Sequence, residues 1–118
     1  MLAAMSFDTL LSGPGGADPD VERWTRRELG MILSIYGRMV AAGEWRDYAI
    51  DHLRGRAVFS IFRRASEQPL YRVEKTPRTA QRQGAFSVVA MDGRILRRGH
   101  DLAQVLRVLE RKLIRAVE

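Results

Sequence analysis

Arg56-Ala57-Val58-Phe59-Ser60-Ile61-Phe62-Arg63 decides the fold. At the period of two that a strand imposes, Val58, Phe59, Ile61 and Phe62 put apolar side chains on both faces. The segment therefore reads as a central strand covered on each side, at least in part. Its neighbours are also β-prone. Before it, Asp47 to Asp51 alternates, with Tyr48 and Ile50 on one face and Asp47, Ala49 and Asp51 on the other, and Arg54-Gly55 supplies a turn between the two runs. After it, a turn over residues 65–69 leads to Leu70–Lys75, where Tyr71 and Val73 oppose Arg72 and Glu74 until Pro77 ends the strand.

Further out the period changes. Thr25 followed by Glu28 fits a capping box, which places a helix start at Arg26. Leu29, Ile32, Leu33, Tyr36, Met39 and Val40 then recur at spacings of three and four, and Gly43 stands where a left-handed residue ends a helix. Gly30 and Gly37 lie seven apart and are either incidental or a place for close approach by another element. Val21–Trp24 has room for a short edge strand. After Lys75, Thr76–Gln83 reads as a polar loop carrying Arg78 and Arg82, long enough to be mobile, and Ala85–Ala90 is again a strand. Asp92-Gly93 is a hairpin signal, because both residues tolerate positive φ, and it leads to a short strand from Ile95-Leu96. A last helix, from about Asp101 to Ala116, has Leu102, Val105, Leu106, Leu109, Leu113 and Val117 on one stripe.

The fold class that follows is α+β. An antiparallel meander sheet of four to five strands is flanked by an N-terminal and a C-terminal amphipathic helix. Residues 1–20, which contain Gly13-Pro14-Gly15-Gly16 and Asp18-Pro19-Asp20, read as a flexible tail, and residues 21–118 as one domain. The 118 residues contain no cysteine, so disulfides, thiolate metal ligands and a thiol nucleophile are absent. No run approaches the roughly 20 apolar residues of a membrane span, and the start of the chain lacks the basic segment of a signal peptide. The expectation is a cytoplasmic protein with no membrane partner.

Charge is unevenly placed. Residues 1–53 hold 5 basic and 8 acidic groups, net −3, whereas residues 54–118 hold 15 and 6, net +9. Such asymmetry suits a polyanionic partner. Eighteen of the 20 basic residues are arginine, with Lys75 and Lys112 the exceptions, and a GC-rich genome would produce that ratio by composition alone. Both accounts stand at this level.

No catalytic centre is visible. His52 and His100 are the only histidines, and no Gly-x-Ser-x-Gly elbow surrounds Ser34, Ser60 or Ser87. Asp47 and Asp51 share a strand face but stand roughly 13 Å apart, too far to chelate one ion without a third element. Asp51 and His52 are adjacent and so point to opposite faces. No metal, phosphate-loop or cofactor motif is present, so no cofactor is expected. Arg97-Arg98-Gly99-His100 offers two cations at the start of the last helix, the ingredients of an anion site, although Asp101 makes ordinary capping the favoured role. Arg107, Arg111 and Arg115 recur every four residues along that helix, a row able to track phosphates. Arg63 and Arg64, with Arg72, Arg78 and Arg82, would enlarge the patch if the fold gathers them. Trp45 and Tyr48 either contact a partner or, the favoured role, close the edge of the core.

The segments Arg27-Glu28-Leu29, Ile32-Leu33-Ser34-Ile35-Tyr36-Gly37-Arg38-Met39-Val40-Ala41-Ala42-Gly43-Glu44-Trp45-Arg46-Asp47-Tyr48-Ala49-Ile50-Asp51, Phe59-Ser60-Ile61-Phe62-Arg63-Arg64-Ala65, Pro69-Leu70-Tyr71-Arg72 and Arg98-Gly99-His100-Asp101-Leu102 carry a family resemblance. They resemble an uncharacterised alphaproteobacterial family, domain of unknown function 2794, over nearly everything after the tail. The resemblance implies a bacterial cytoplasmic protein from a GC-rich lineage, and it implies no activity and no functional residues. The leading expectation is a non-catalytic binding or regulatory module that contacts RNA or DNA through its basic second half. The alternative is a protein-interaction module with a protein partner, or a homo-oligomer such as a homodimer.

Overall fold

The computed structural model describes residues 18–64 and 68–117, with side chains as far as Arg111. The first 17 residues of the expected tail, most of the turn after Arg64, and the side chains of Leu113, Arg115 and Val117 lie outside the described residues. The elements are α1 (Arg26–Ala41), β1 (Asp47–Leu53), β2 (Arg56–Phe62), β3 (Tyr71–Lys75), a 3-10 turn (Pro77–Thr79), β4 (Phe86–Ala90), β5 (Ile95–Gly99) and α2 (Leu102–Val117). All five strands form one antiparallel sheet in sequence order. This is the α+β meander that the alternation and short turns predict.

The capping box forms as predicted. The Thr25 hydroxyl accepts from the Glu28 N–H at 3.1 Å, and the Glu28 carboxylate accepts from the Thr25 N–H at 2.8 Å. Trp24, just before the cap, and Leu29, four residues after it, are both buried in the core, the pattern of a hydrophobic staple. At the other end, the N–H groups of Gly43 and Glu44 donate to the carbonyls of Val40 and Met39, with Gly43 at φ +79°. This is a Schellman termination. The buried stripe of α1 is Leu29, Ile32, Ile35 and Met39, which corrects the expected one. Val40 shares the azimuth of Leu29 but stands in the last turn, where cover has stopped, and is 41% exposed. Val21 makes only an isolated bridge to Arg54, so the short N-terminal strand does not form.

Register puts Tyr48, Ile50 and His52 of β1, Ala57, Phe59 and Ile61 of β2, Tyr71, Val73 and Lys75 of β3, and Phe86 and Val88 of β4 on one face. Most of these join the helical stripes in a single core that includes Leu102, Val105, Leu106 and Leu109 of α2. Both helices therefore cover the same face. They also run parallel: Arg38 late in α1 lies 3.6 Å from Glu110 in α2, while Arg27 and Ala103 line the earlier part of the same interhelical groove. Gly30 and Gly37 have nothing within 4 Å of where a Cβ would stand, so no close approach requires them.

Trp45 and Tyr48, at 2% and 9% exposure, lie in the core. Tyr48 stacks on Phe59 at 5.1 Å and meets Tyr36 edge-on at 4.9 Å. They close the core edge rather than face a partner. Burial first, then Asp47 and Tyr48, push the Tyr36 phenol up to about 12.

A second polar anchor was not visible in the sequence. Lys75, at the end of β3, donates to Glu28 at 2.9 Å, to the Arg23 carbonyl at 2.9 Å and pairs with Glu22 at 3.1 Å. It pins the start of α1 to the sheet. Beside it, an Arg23 guanidinium nitrogen stands 3.5 Å from His52 Nδ1. Since a guanidinium only donates, Nδ1 is the acceptor and the neutral ring carries its proton on Nε2, an atom buried with no hydrogen-bond partner. Burial, then Arg23, lowers the His52 pKa from its ordinary 6.5, with Lys75 acting the same way against Asp51 and Glu22.

Candidate polyanion-binding surface

Arg97 and Arg98 are neighbours in β5 and diverge. Arg97 pairs in register with Val88 and so stands on the helix side of the sheet, whereas Arg98 pairs with Ser87 on the other side. Arg98 donates to the side-chain oxygen of Gln83 in the β3–β4 loop. The two cations expected together at the start of α2 are thus separated. That helix start is taken by Asp101, whose carboxylate accepts from the Ala103 N–H at 3.0 Å. His100 is exposed beside it. The capping role, not the anion site, describes this position.

Arg97 instead joins α2. Gln104, Arg107 and Arg111 follow one another at spacings of three and four and so form a single stripe of the helix. With Arg97 and Glu110 they line a concavity of about 370 Å³. Arg97, Arg107 and Arg111 are exposed, and among the described residues none has a carboxylate within ion-pair distance. The one acid in the concavity, Glu110, reaches 3.6 Å from Arg38 of α1 and is partly neutralised there. Arg115 continues the row in sequence, its side chain outside the described residues.

The remaining predicted cations do not join this surface. Arg63 pairs with Glu44 at 3.9 Å, at the end of the sheet opposite the start of α2, and neither it nor Arg64 is free. Arg72 lies on the face away from the helices, 3.1 Å from Glu74, which also pairs with Arg56 at 3.6 Å. Arg78 and Arg82 line a separate concavity with Thr79, Gln81 and Gln83. One continuous patch of all these arginines does not form, because alternation along β3 and β5 distributes them over both faces.

Sequence reading missed Gln104 and the role of Glu110, both at helical spacing from residues already singled out. Among the described residues no three histidine or acidic side chains converge as a metal site, and no helix is long and apolar enough to cross a membrane. Comparison with curated proteins and with solved structures finds no match. The family described as protein of unknown function (DUF2794) matches residues 23–106, which takes in the capping box, the whole sheet and the first turn of α2, and the chain belongs to that family.

Proposed function

We propose that this protein is a non-catalytic binding module that holds nucleic acid by its phosphate backbone along Arg97, Arg107 and Arg111. The observation that carries the reading is the gathering of three guanidiniums from two elements around one concavity whose only acid is engaged by Arg38. Elsewhere Arg38, Arg54, Arg56, Arg63 and Arg72 each have a carboxylate within 4.0 Å. A compositional excess alone gives no reason for three guanidiniums without a carboxylate partner to meet around one concavity. Guanidiniums suit phosphate oxygens through paired N–H donors, and contacts of this kind supply affinity with little sequence preference.

The test is binding of mixed-sequence RNA and duplex DNA measured by mobility shift over a salt series. Three phosphate contacts correspond to a slope of about −2.7 in log K against log salt on duplex DNA, so raising salt from about 50 to 200 mM weakens binding about 40-fold. Joint replacement Arg97→Gln, Arg107→Gln and Arg111→Gln removes that slope. Binding that is absent at low salt, or that survives the triple replacement with its salt slope unchanged, overturns the reading.

A further inference from the structure

The β3–β4 connection, a polar loop long enough to be mobile, is closed by its own hydrogen bonds. The Thr76 N–H donates to the Ala85 carbonyl at 2.7 Å, shutting the base. The Thr79 carbonyl accepts from the N–H groups of Arg82, Gln83 and Gly84 at 3.2, 3.0 and 3.1 Å. Its hydroxyl lies 2.9 and 2.8 Å from the carbonyls of Thr76 and Gly84, donating to one at a time. Gly84, at φ +96°, lies so close to β5 that an added Cβ would stand 2.1 Å from the Gly99 carbonyl carbon and oxygen. The loop is clamped to the sheet.

What this fixed loop presents is a set of donors. Arg78 and Arg82 line a concavity of about 440 Å³ together with Thr79, Gln81 and Gln83, and no acid is among the lining residues. Among the described residues neither arginine has a carboxylate within ion-pair distance. Arg98 reaches from β5 to the side-chain oxygen of Gln83. That contact occupies the amide's acceptor and leaves its NH2 group to donate.

The geometry points to a binding site for a terminal phosphate group, held by Arg78 and Arg82 with the Gln83 amide oriented by Arg98. A phosphate monoester has three free oxygens and nearly two charges at neutral pH, which two guanidinium forks and an amide match better than a singly charged carboxylate does. A loop already ordered by its own bonds loses little freedom on binding. The site shares no residue with the Arg97, Arg107 and Arg111 surface and does not depend on it.

Backbone and arginine side-chain N–H resonances of the full chain, titrated with sodium phosphate against sodium chloride at matched ionic strength, test the site. Saturable shifts confined to residues 78–83, with a dissociation constant on the order of millimolar, are expected. Arg78→Gln with Arg82→Gln is expected to weaken binding at least tenfold. Both side chains are exposed, and an unchanged urea midpoint verifies that the variant is folded. Adenosine monophosphate and a dinucleotide with or without a 5′-phosphate identify the source of the group: the tightest of the phosphorylated ligands names it. A 5′-hydroxyl dinucleotide that binds as well as the phosphorylated one, shifts that never saturate, or saturation unchanged in the double variant overturns the proposal. The Arg97, Arg107 and Arg111 triple variant should titrate with phosphate as the parent does, so failure of nucleic-acid binding and failure of this site are read separately.

Discussion

Replacing Gly84 with alanine tests whether the β3–β4 loop is clamped as described. The new Cβ would stand 2.1 Å from the Gly99 carbonyl carbon and oxygen and 2.6 Å from the His100 nitrogen. Ordinary contact needs about 3.5 Å, so loop and strand must part by more than 1 Å. Both partners are backbone and neither has a rotamer to yield. A displacement of that size exceeds what the bonds of Gly84 to Thr79, at 3.1 Å and 2.8 Å, can absorb, and it strains the 2.7 Å closure of Thr76 on Ala85. Losing two such bonds at about 1 kcal/mol each, with about 1 kcal/mol for alanine at positive φ, gives a loss of about 3 kcal/mol. With a urea dependence of about 1.3 kcal/mol per M, the unfolding midpoint falls by about 2 M. Circular dichroism through a urea titration measures it. A midpoint within about 0.3 M of the parent would refute the clamp, because no conformation with the loop seated on Gly99 admits the extra carbon.

Gly30→Ala and Gly37→Ala make the opposite case: with nothing within 4 Å of either position, each should raise stability by about 0.5–1 kcal/mol through helix propensity, measured by the same titration. Lys75→Met keeps the aliphatic stem and removes the charge that Glu22 and Glu28 share. It should cost about 2 kcal/mol, and Glu28→Gln added to it should cost much less than it does alone; additive losses in a double-mutant cycle would show that the pair is not coupled. His52 has a folded-state pKa below its unfolded 6.5, so the unfolded chain takes up the proton first as pH falls. Stability is then full above about pH 6.5 and declines below it. Urea midpoints between about pH 5 and 8 should show that fall, and His52→Gln should flatten it, whereas an identical pH profile in the variant would exclude His52 as its source.

The elements legible in the sequence were those fixed by neighbours in the chain. Thr25 and Glu28 are three residues apart and announce the start of α1, and Gly43 announces its end. Strict alternation sorted β1 and β3 onto the right faces. The turn after Ala90 was found but its form was not: only Gly93 takes positive φ, while the Asp92 carboxylate instead accepts from the Arg94 N–H at 2.9 Å. The result is a three-residue connection, Met91 to Gly93, rather than a two-residue one. Lys75 could not be read at all, since its partners lie 47 and more residues earlier and meet it only after β3 has docked. The closure of the β3–β4 loop is hidden for a related reason. Its length leaves room for mobility, and the local signs of order, Pro77 opening a 3-10 turn and Gly84 at positive φ, become decisive only with Gly99 in place.

The position of Arg97 depends on a single irregularity that no periodicity announces. Between Val88 and Val89 the β4–β5 register shifts, so that Val88 faces Arg97 while Val89 faces Ile95. Leu96 is the extra residue of a bulge. Strict alternation would place Leu96 and Arg97 on opposite faces, yet Leu96 packs against the core on the helix side, the side on which Arg97 lines the concavity with α2. A bulge re-aims a side chain in just this manner. The bulge thereby sets Arg97 on the face where it lines the concavity with Arg107 and Arg111, and ordinary alternation then sends Arg98 to the opposite face and to Gln83. The backbone irregularity, rather than the number of basic residues, therefore decides which of the two adjacent arginines stands beside α2.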